Sequence, residues 1–178
     1  MTETGVTPAI GSDGAGWRSH VVLDFAKSEL FDRTFQEGME LVEETAAYLD
    51  GGGRQDAKRL TRKGALAYAA ESMRLTTRLM QVASWLLVQR AVREGDMAPA
   101  DACEARYRLA AEPAAAETDP DELAGLPLGL RQLLTRSERL YERVMHLDRR
   151  MYVEVPEDAA PHPVLSQMAK LQAAFGAR

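Results

Sequence analysis

Residues 71–92 read Glu71-Ser-Met-Arg-Leu-Thr-Thr-Arg-Leu-Met-Gln-Val-Ala-Ser-Trp-Leu-Leu-Val-Gln-Arg-Ala-Val92. No proline or glycine interrupts this stretch, and its apolar side chains return every three or four positions, the period of an α-helix. Extended on both sides, the pattern yields two adjoining seams. One holds Tyr68, Ser72, Leu75, Leu79, Val82 and Leu86; the other holds Leu66, Ala69, Met73, Met80, Ala83 and Leu87. Asp56 is a plausible N-cap and Gly95 a natural stop. A helix over 56–94 would be about 57 Å long.

Working outward, a second helical pattern covers Ser19–Asp50. Phe31, Phe35, Met39, Val42, Ala46 and Leu49 form its stripe, and Gly51-Gly52-Gly53 ends it. His20–Phe25 either begins this helix or leads into it as extended chain. Residues 95–126 are irregular and acidic: Pro99 opens a short helix, Pro113 closes it, and Asp119-Pro120-Asp121-Glu122 caps a single turn. A connection of this length is either a functional loop or partly disordered. Pro127 starts the third long helix, with Leu130, Leu133, Ser137, Leu140, Val144, Leu147 and Met151 in line, and Pro156 ends it near Val155. Residues 1–18 read as a flexible N-terminal tail, 19–155 as the helical domain, and 156–178 as a C-terminal tail with a short amphipathic segment (Leu165, Met168, Leu171, Phe175). The expected fold is all-α: an antiparallel three-helix bundle with a long loop between the second and third helices, paired as a homodimer.

Composition agrees. Of 178 residues, 46% are apolar but only 6% aromatic, which suits helices better than sheets. Charged residues make up 28% of the chain, net −5, with a pI near 5.3. That balance argues against a duplex-DNA binder, which carries a basic face. One cysteine, Cys103, forbids an internal disulfide and fits a reducing compartment. The most apolar run, Leu79–Val88, is half of the ~20 residues a bilayer requires, and the N-terminus does not read as a secretory signal. The expected setting is the cytoplasm.

Charge also suggests the packing. Residues 24–50 carry eight acids and two bases (net −6); residues 56–94 carry three acids and eight bases (net +5). Joined by a glycine turn, the two should form an antiparallel hairpin, with Lys58, Arg59, Arg62 and Lys63 beside Glu37, Glu40, Glu43 and Glu44. Gly38 and Gly64 lie at similar distances from the turn, as tolerated drift or as a close backbone approach. A turn near residue 52 sets position 24 opposite 81, so the 82–94 end would overhang. Its apolar surface makes Leu79, Val82, Trp85, Leu86 and Leu87 the candidate dimer or partner surface. Lys58, Arg59, Arg62 and Lys63 are the candidate docking face for an acidic partner, if they are not simply a solvated face. Arg131, Arg136, Arg139, Arg143, Arg149 and Arg150 form a second basic set.

Catalytic signatures are missing from the sequence. His20, His146 and His162 fall in no metal-ligand motif, and Met145 stands where a Glu-x-x-His unit would place histidine after Glu142. Gly51–Gly53 follows a helix instead of a strand and lacks the Lys-Ser/Thr of a phosphate loop. Cys103 has no evident base. The chain is expected to be no enzyme and to need no cofactor or metal.

Residues 71–92, with Phe31–Glu44 before them and Leu133–Met151 after, resemble the RcdA-like proteins, regulators of CtrA degradation, over roughly residues 20–152. The resemblance implies a helical-bundle dimer serving as an adaptor in proteolysis by ClpXP. It would help tether a CtrA-like cell-cycle regulator to a primed protease at the cell pole, alongside co-adaptors. It brings no catalytic residues. The alternative is a helical regulator associating with nucleic acid.

Overall fold

The structure, a computed structural model, describes residues 13–110 and 120–152. The tail readings for 1–12 and 156–178, and Pro113, lie outside the described residues. All regular structure among those described is helical: α1 (Asp13–Ala26), α2 (Glu29–Asp50), α3 (Gly52–Ala57), α4 (Arg62–Glu94), α5 (Pro99–Ala102), a 3-10 turn (Ala105–Tyr107), α6 (Pro120–Ala124) and α7 (Leu128–Tyr152).

The expected first helix is two helices, and α1 begins at Asp13, inside the stretch read as tail. Ser28 makes the break. Its hydroxyl donates to Phe25 O (2.7 Å) and accepts from Phe31 N (3.2 Å), capping α2, with Glu29 and Asp32 favourably placed in the first turn. The Phe25 and Phe31 rings meet edge to face across this corner (5.8 Å), and Phe25 continues to Trp85 of α4 (5.7 Å). Val22 and Ala26 bury α1 in the core.

The second helix is likewise divided. Asp56 is no cap; it accepts from Tyr48 Oη (3.0 Å), and Thr61 caps α4 by accepting from Gly64 N (3.2 Å). Its 33 residues span about 50 Å and end at Gly95, in the left-handed conformation (φ 83°). Because α3 and its turn lie between α2 and α4, the register moves. Asp32 pairs with Arg93, and Gly38 lies against Leu86. The start of α2 therefore reaches the end of α4, and the expected overhang does not exist.

Alpha2 runs antiparallel to α7, marked by Arg143–Glu37 (two bonds of 2.8 Å) and Arg136–Glu44 (2.6 Å). The acidic helix thus pairs with α7, and the basic 58–63 cluster does not flank it. Alpha4 and α7 run parallel: Arg78 donates to Ser137 Oγ (3.2 Å) and Trp85 Nε1 to Asp148 (2.9 Å), numbers rising together. Residues 102–110 run back along α7, from Tyr152 to Tyr141, and the parallel pair means that the arrangement is not antiparallel throughout.

The first seam of α4 is core: Leu75, Leu79, Val82 and Leu86 are buried, facing Leu130, Leu133, Leu140 and Val144 of α7. On α2 the buried line is Phe31, Thr34, Gly38, Leu41 and Thr45. It shares Phe31 with the stripe expected from apolarity and beyond it lies one position away, leaving Phe35, Met39, Val42 and Leu49 as half-buried flanks. Small residues occupy the closest approach: a Cβ on Gly38 would stand 2.7 Å from Leu86 Cδ1. Gly64 has no such neighbour across the bundle; its Cβ would meet Leu60 and Thr61 at an ordinary 3.4 Å. Gly38→Leu should therefore cost about 1–3 kcal/mol by overpacking. Gly64→Ala should be neutral or gain up to ~1 kcal/mol of helix propensity. Thermal melts of the two variants should move in opposite directions or differ by several degrees.

Candidate interaction surfaces

The crossover is stapled rather than loose over residues 95–110. Asp148, buried in α7, accepts from Trp85 Nε1, from Arg108 (3.0 Å) and from Leu109 N (3.2 Å). Tyr141 Oη donates to Ala110 O (2.8 Å) and Tyr152 Oη to Ala102 O (2.9 Å). Burial first, then the neighbouring Cys103 and Asp148, pushes the Tyr152 phenol up to about 12. Tyr48 is pushed to about 12 by burial and by its bond to Asp56. Both raised values favour the protonated phenol in the folded state. The stability they carry is complete below the ordinary tyrosine pKa and is lost as pH climbs from ~10 through 12. Denaturant midpoints should fall across that window, and Tyr152→Phe should flatten part of the fall.

Of the surface candidates, Leu79, Val82, Trp85 and Leu86 are core residues, while Leu87 faces outward. A turn at 52 would leave them beyond α2, but α3 shifts the pairing and brings α2 over them. The exposed apolar line is the second seam of α4. Leu66, Met73, Met80 and Leu87 recur every seven residues, exposed to 68, 72, 65 and 51%. Between them lie Ala69, Ala70, Thr76, Thr77, Ala83 and Ser84. Beside Met80 opens an apolar groove of about 200 Å³ against Val42, Ala46 and Leu49 of α2. The repeat gives the outer face of α4 one large apolar side chain in every seven residues, with small residues between. Apolarity announced both seams equally; only the packing shows which faces out.

Lys58, Arg59, Arg62 and Lys63 sit exposed at one end of the bundle, and Lys63 pairs with Glu122 of α6 (2.8 Å). The α7 arginines differ among themselves. Arg136 and Arg143 hold the α2 glutamates, whereas Arg139, Arg149 and Arg150 have no ion-pair partner among the described residues.

Glu142 and His146 share an exposed face, and no group of three or more His, Cys, Asp or Glu among the described residues is placed to hold a metal ion. Cys103 is half-buried, its thiol pushed up by burial and donating to Pro99 O (3.3 Å). No helix among the described residues is long and apolar enough to cross a membrane. Asp148 was missed in the sequence. Its signal was an acid four residues after Val144, on the buried side of a helix whose other stripe members are mostly apolar.

No curated protein matches the chain. Among solved structures, RcdA from Caulobacter crescentus CB15 is similar, with 70% identity and a TM-score of 0.60, over 74% of this chain and 98% of that one. The family described as "Protein of unknown function (DUF1465)" matches residues 22–175. With most of its length matched by that family and so close a relative in RcdA, the chain belongs to the RcdA family.

Proposed function

We propose that this protein is a non-catalytic adaptor in regulated proteolysis. It helps deliver a CtrA-like cell-cycle regulator to the ClpXP protease together with co-adaptors, acting in the cytoplasm with recruitment to a cell pole. The observation that carries this reading is the 70% identity to RcdA across nearly all of that chain. The physics of tethering supports it. An adaptor needs no reacting groups, only surfaces that hold two partners together. Linking them converts the second encounter into an intramolecular one at an effective concentration of order millimolar. In a reconstitution of substrate, protease and priming factors, adding this protein should shorten the substrate half-life severalfold. An unchanged half-life removes the proposal.

We further propose that the bundle works as a dimer, a second copy covering the exposed line of α4. The four anchors are self-complementary about a two-fold axis near Thr76–Thr77. An antiparallel partner sets Leu66 opposite Leu87 and Met73 opposite Met80.

A further inference from the structure

On the side of the bundle formed by α2 and α7, Arg139, Arg143, His146 and Arg150 follow at spacings of four, three and four along α7 and so share one face. They rim a groove of about 480 Å³ in which Leu30 of α2 and Leu147 are apolar members. Leu30 is 47% exposed, a large apolar side chain left open to this degree among the described residues. Arg143 is held rigid by its two bonds to Glu37, while Arg139 and Arg150 at the two ends have no ion-pair partner among the described residues.

We infer that this groove docks a carboxylate-rich peptide segment of a partner protein, carrying an apolar side chain that seats between Leu30 and Leu147. The inference rests on the adaptor reading and gives it a surface. Guanidinium groups bind carboxylates in forked pairs, and a cluster of arginines around an apolar floor is the composition of an interface centre. Charge selects a peptide over a nucleic acid. Glu142 lies within the groove and Glu37 at its edge, where a continuous phosphate backbone meets repulsion but discrete carboxylates can be spaced to avoid it.

The test is fluorescence anisotropy of the full-length protein with a labelled peptide of repeating Glu-Glu-Leu. Binding should weaken with salt, and R139E/R150E should lose at least about tenfold in affinity. L30S should also weaken binding, and K58E/R59E at the bundle end should not. Circular dichroism should show the helices intact, since Arg139 and Arg150 are exposed and hold no ion pair among the described residues. Equal binding by R139E/R150E overturns the inference, as does a labelled DNA duplex binding there as tightly as the peptide. A tenfold gain in affinity on E154Q/E157Q/D158N overturns it too, assigning the groove to the chain's own C-terminal acids. Failure of the adaptor reading reads differently. The peptide then binds as described while protein added to the protease reconstitution leaves the substrate half-life unchanged.

Discussion

The substitution pair M73E/M80E should abolish the proposed dimer, raising its dissociation constant by more than about 100-fold. Fully burying a Met or Leu side chain is worth roughly 1.5–3 kcal/mol. Each copy exposes four such residues in one line on α4. Four carboxylates inside that seam would each lose hydration without gaining a partner, a cost of several kcal/mol. A loss of ~3 kcal/mol already exceeds 100-fold in affinity. Because both methionines face outward, the monomer should keep its helices, so circular dichroism separates lost pairing from lost folding. Geometry supplies a sharper readout. In an antiparallel seam, M73E/M80K sets a carboxylate opposite an ammonium at both contacts and should restore dimerisation. In a parallel seam the same variant opposes like charges and stays monomeric. Light scattering coupled to size-exclusion chromatography reads all three proteins. A wild-type monomer at micromolar concentration, or a dimeric M73E/M80E, defeats the arrangement.

What was legible in the sequence follows from the reach of each signal. Helical periodicity is local, so spacing alone lines up Leu75–Leu86 and Leu130–Met151 as helical stripes, without saying what covers them. Gly95, Pro99 and the turn at Pro120 were equally readable, because caps and breakers act within a few residues. Register is not local. The α2–α4 pairing depends on whether 52–61 is a tight turn or a short helix followed by a new start capped at Thr61, and that difference alone decides whether Leu79, Val82, Trp85 and Leu86 lie at the surface or in the core. It also hid the pairing of Glu37 and Glu44 with α7, since net charge ranks helices by affinity but gives no azimuth. Ser28 shows a different limit. A capping serine inside an apolar stripe is ambiguous until Phe25 and Phe31 are seen to clamp a corner around it. On α2, apolarity named Phe31 and otherwise only the flanks of the contact, because Thr34, Gly38 and Thr45 at its centre are buried for being small.

Asp148→Ala should lower stability by about 2–4 kcal/mol, most of it from the buried Trp85 N–H left without an acceptor, a loss of about 1–3 kcal/mol by itself. Three donors depend on this carboxylate: the Trp85 indole, the Arg108 guanidinium and the Leu109 amide. Trp85 is buried and would leave an unsatisfied N–H in the core; Arg108 is partly exposed and can turn to water. The loss should therefore divide into two readable parts. At roughly 2–4 °C per kcal/mol for a chain of this size, the melting temperature should fall by about 4–16 °C. Separately, the crossover should loosen locally, because the remaining staples to α7, Tyr141 on Ala110 and Tyr152 on Ala102, sit on either side of the freed segment. Amide exchange at 105–110 should accelerate more than exchange in the middle of α4. R108A removes only the outer partner and should reproduce the faster exchange with a much smaller drop in melting temperature. If Asp148→Ala and R108A melt alike, the Trp85 bond contributes nothing and the buried carboxylate is not what joins α4, α7 and the crossover.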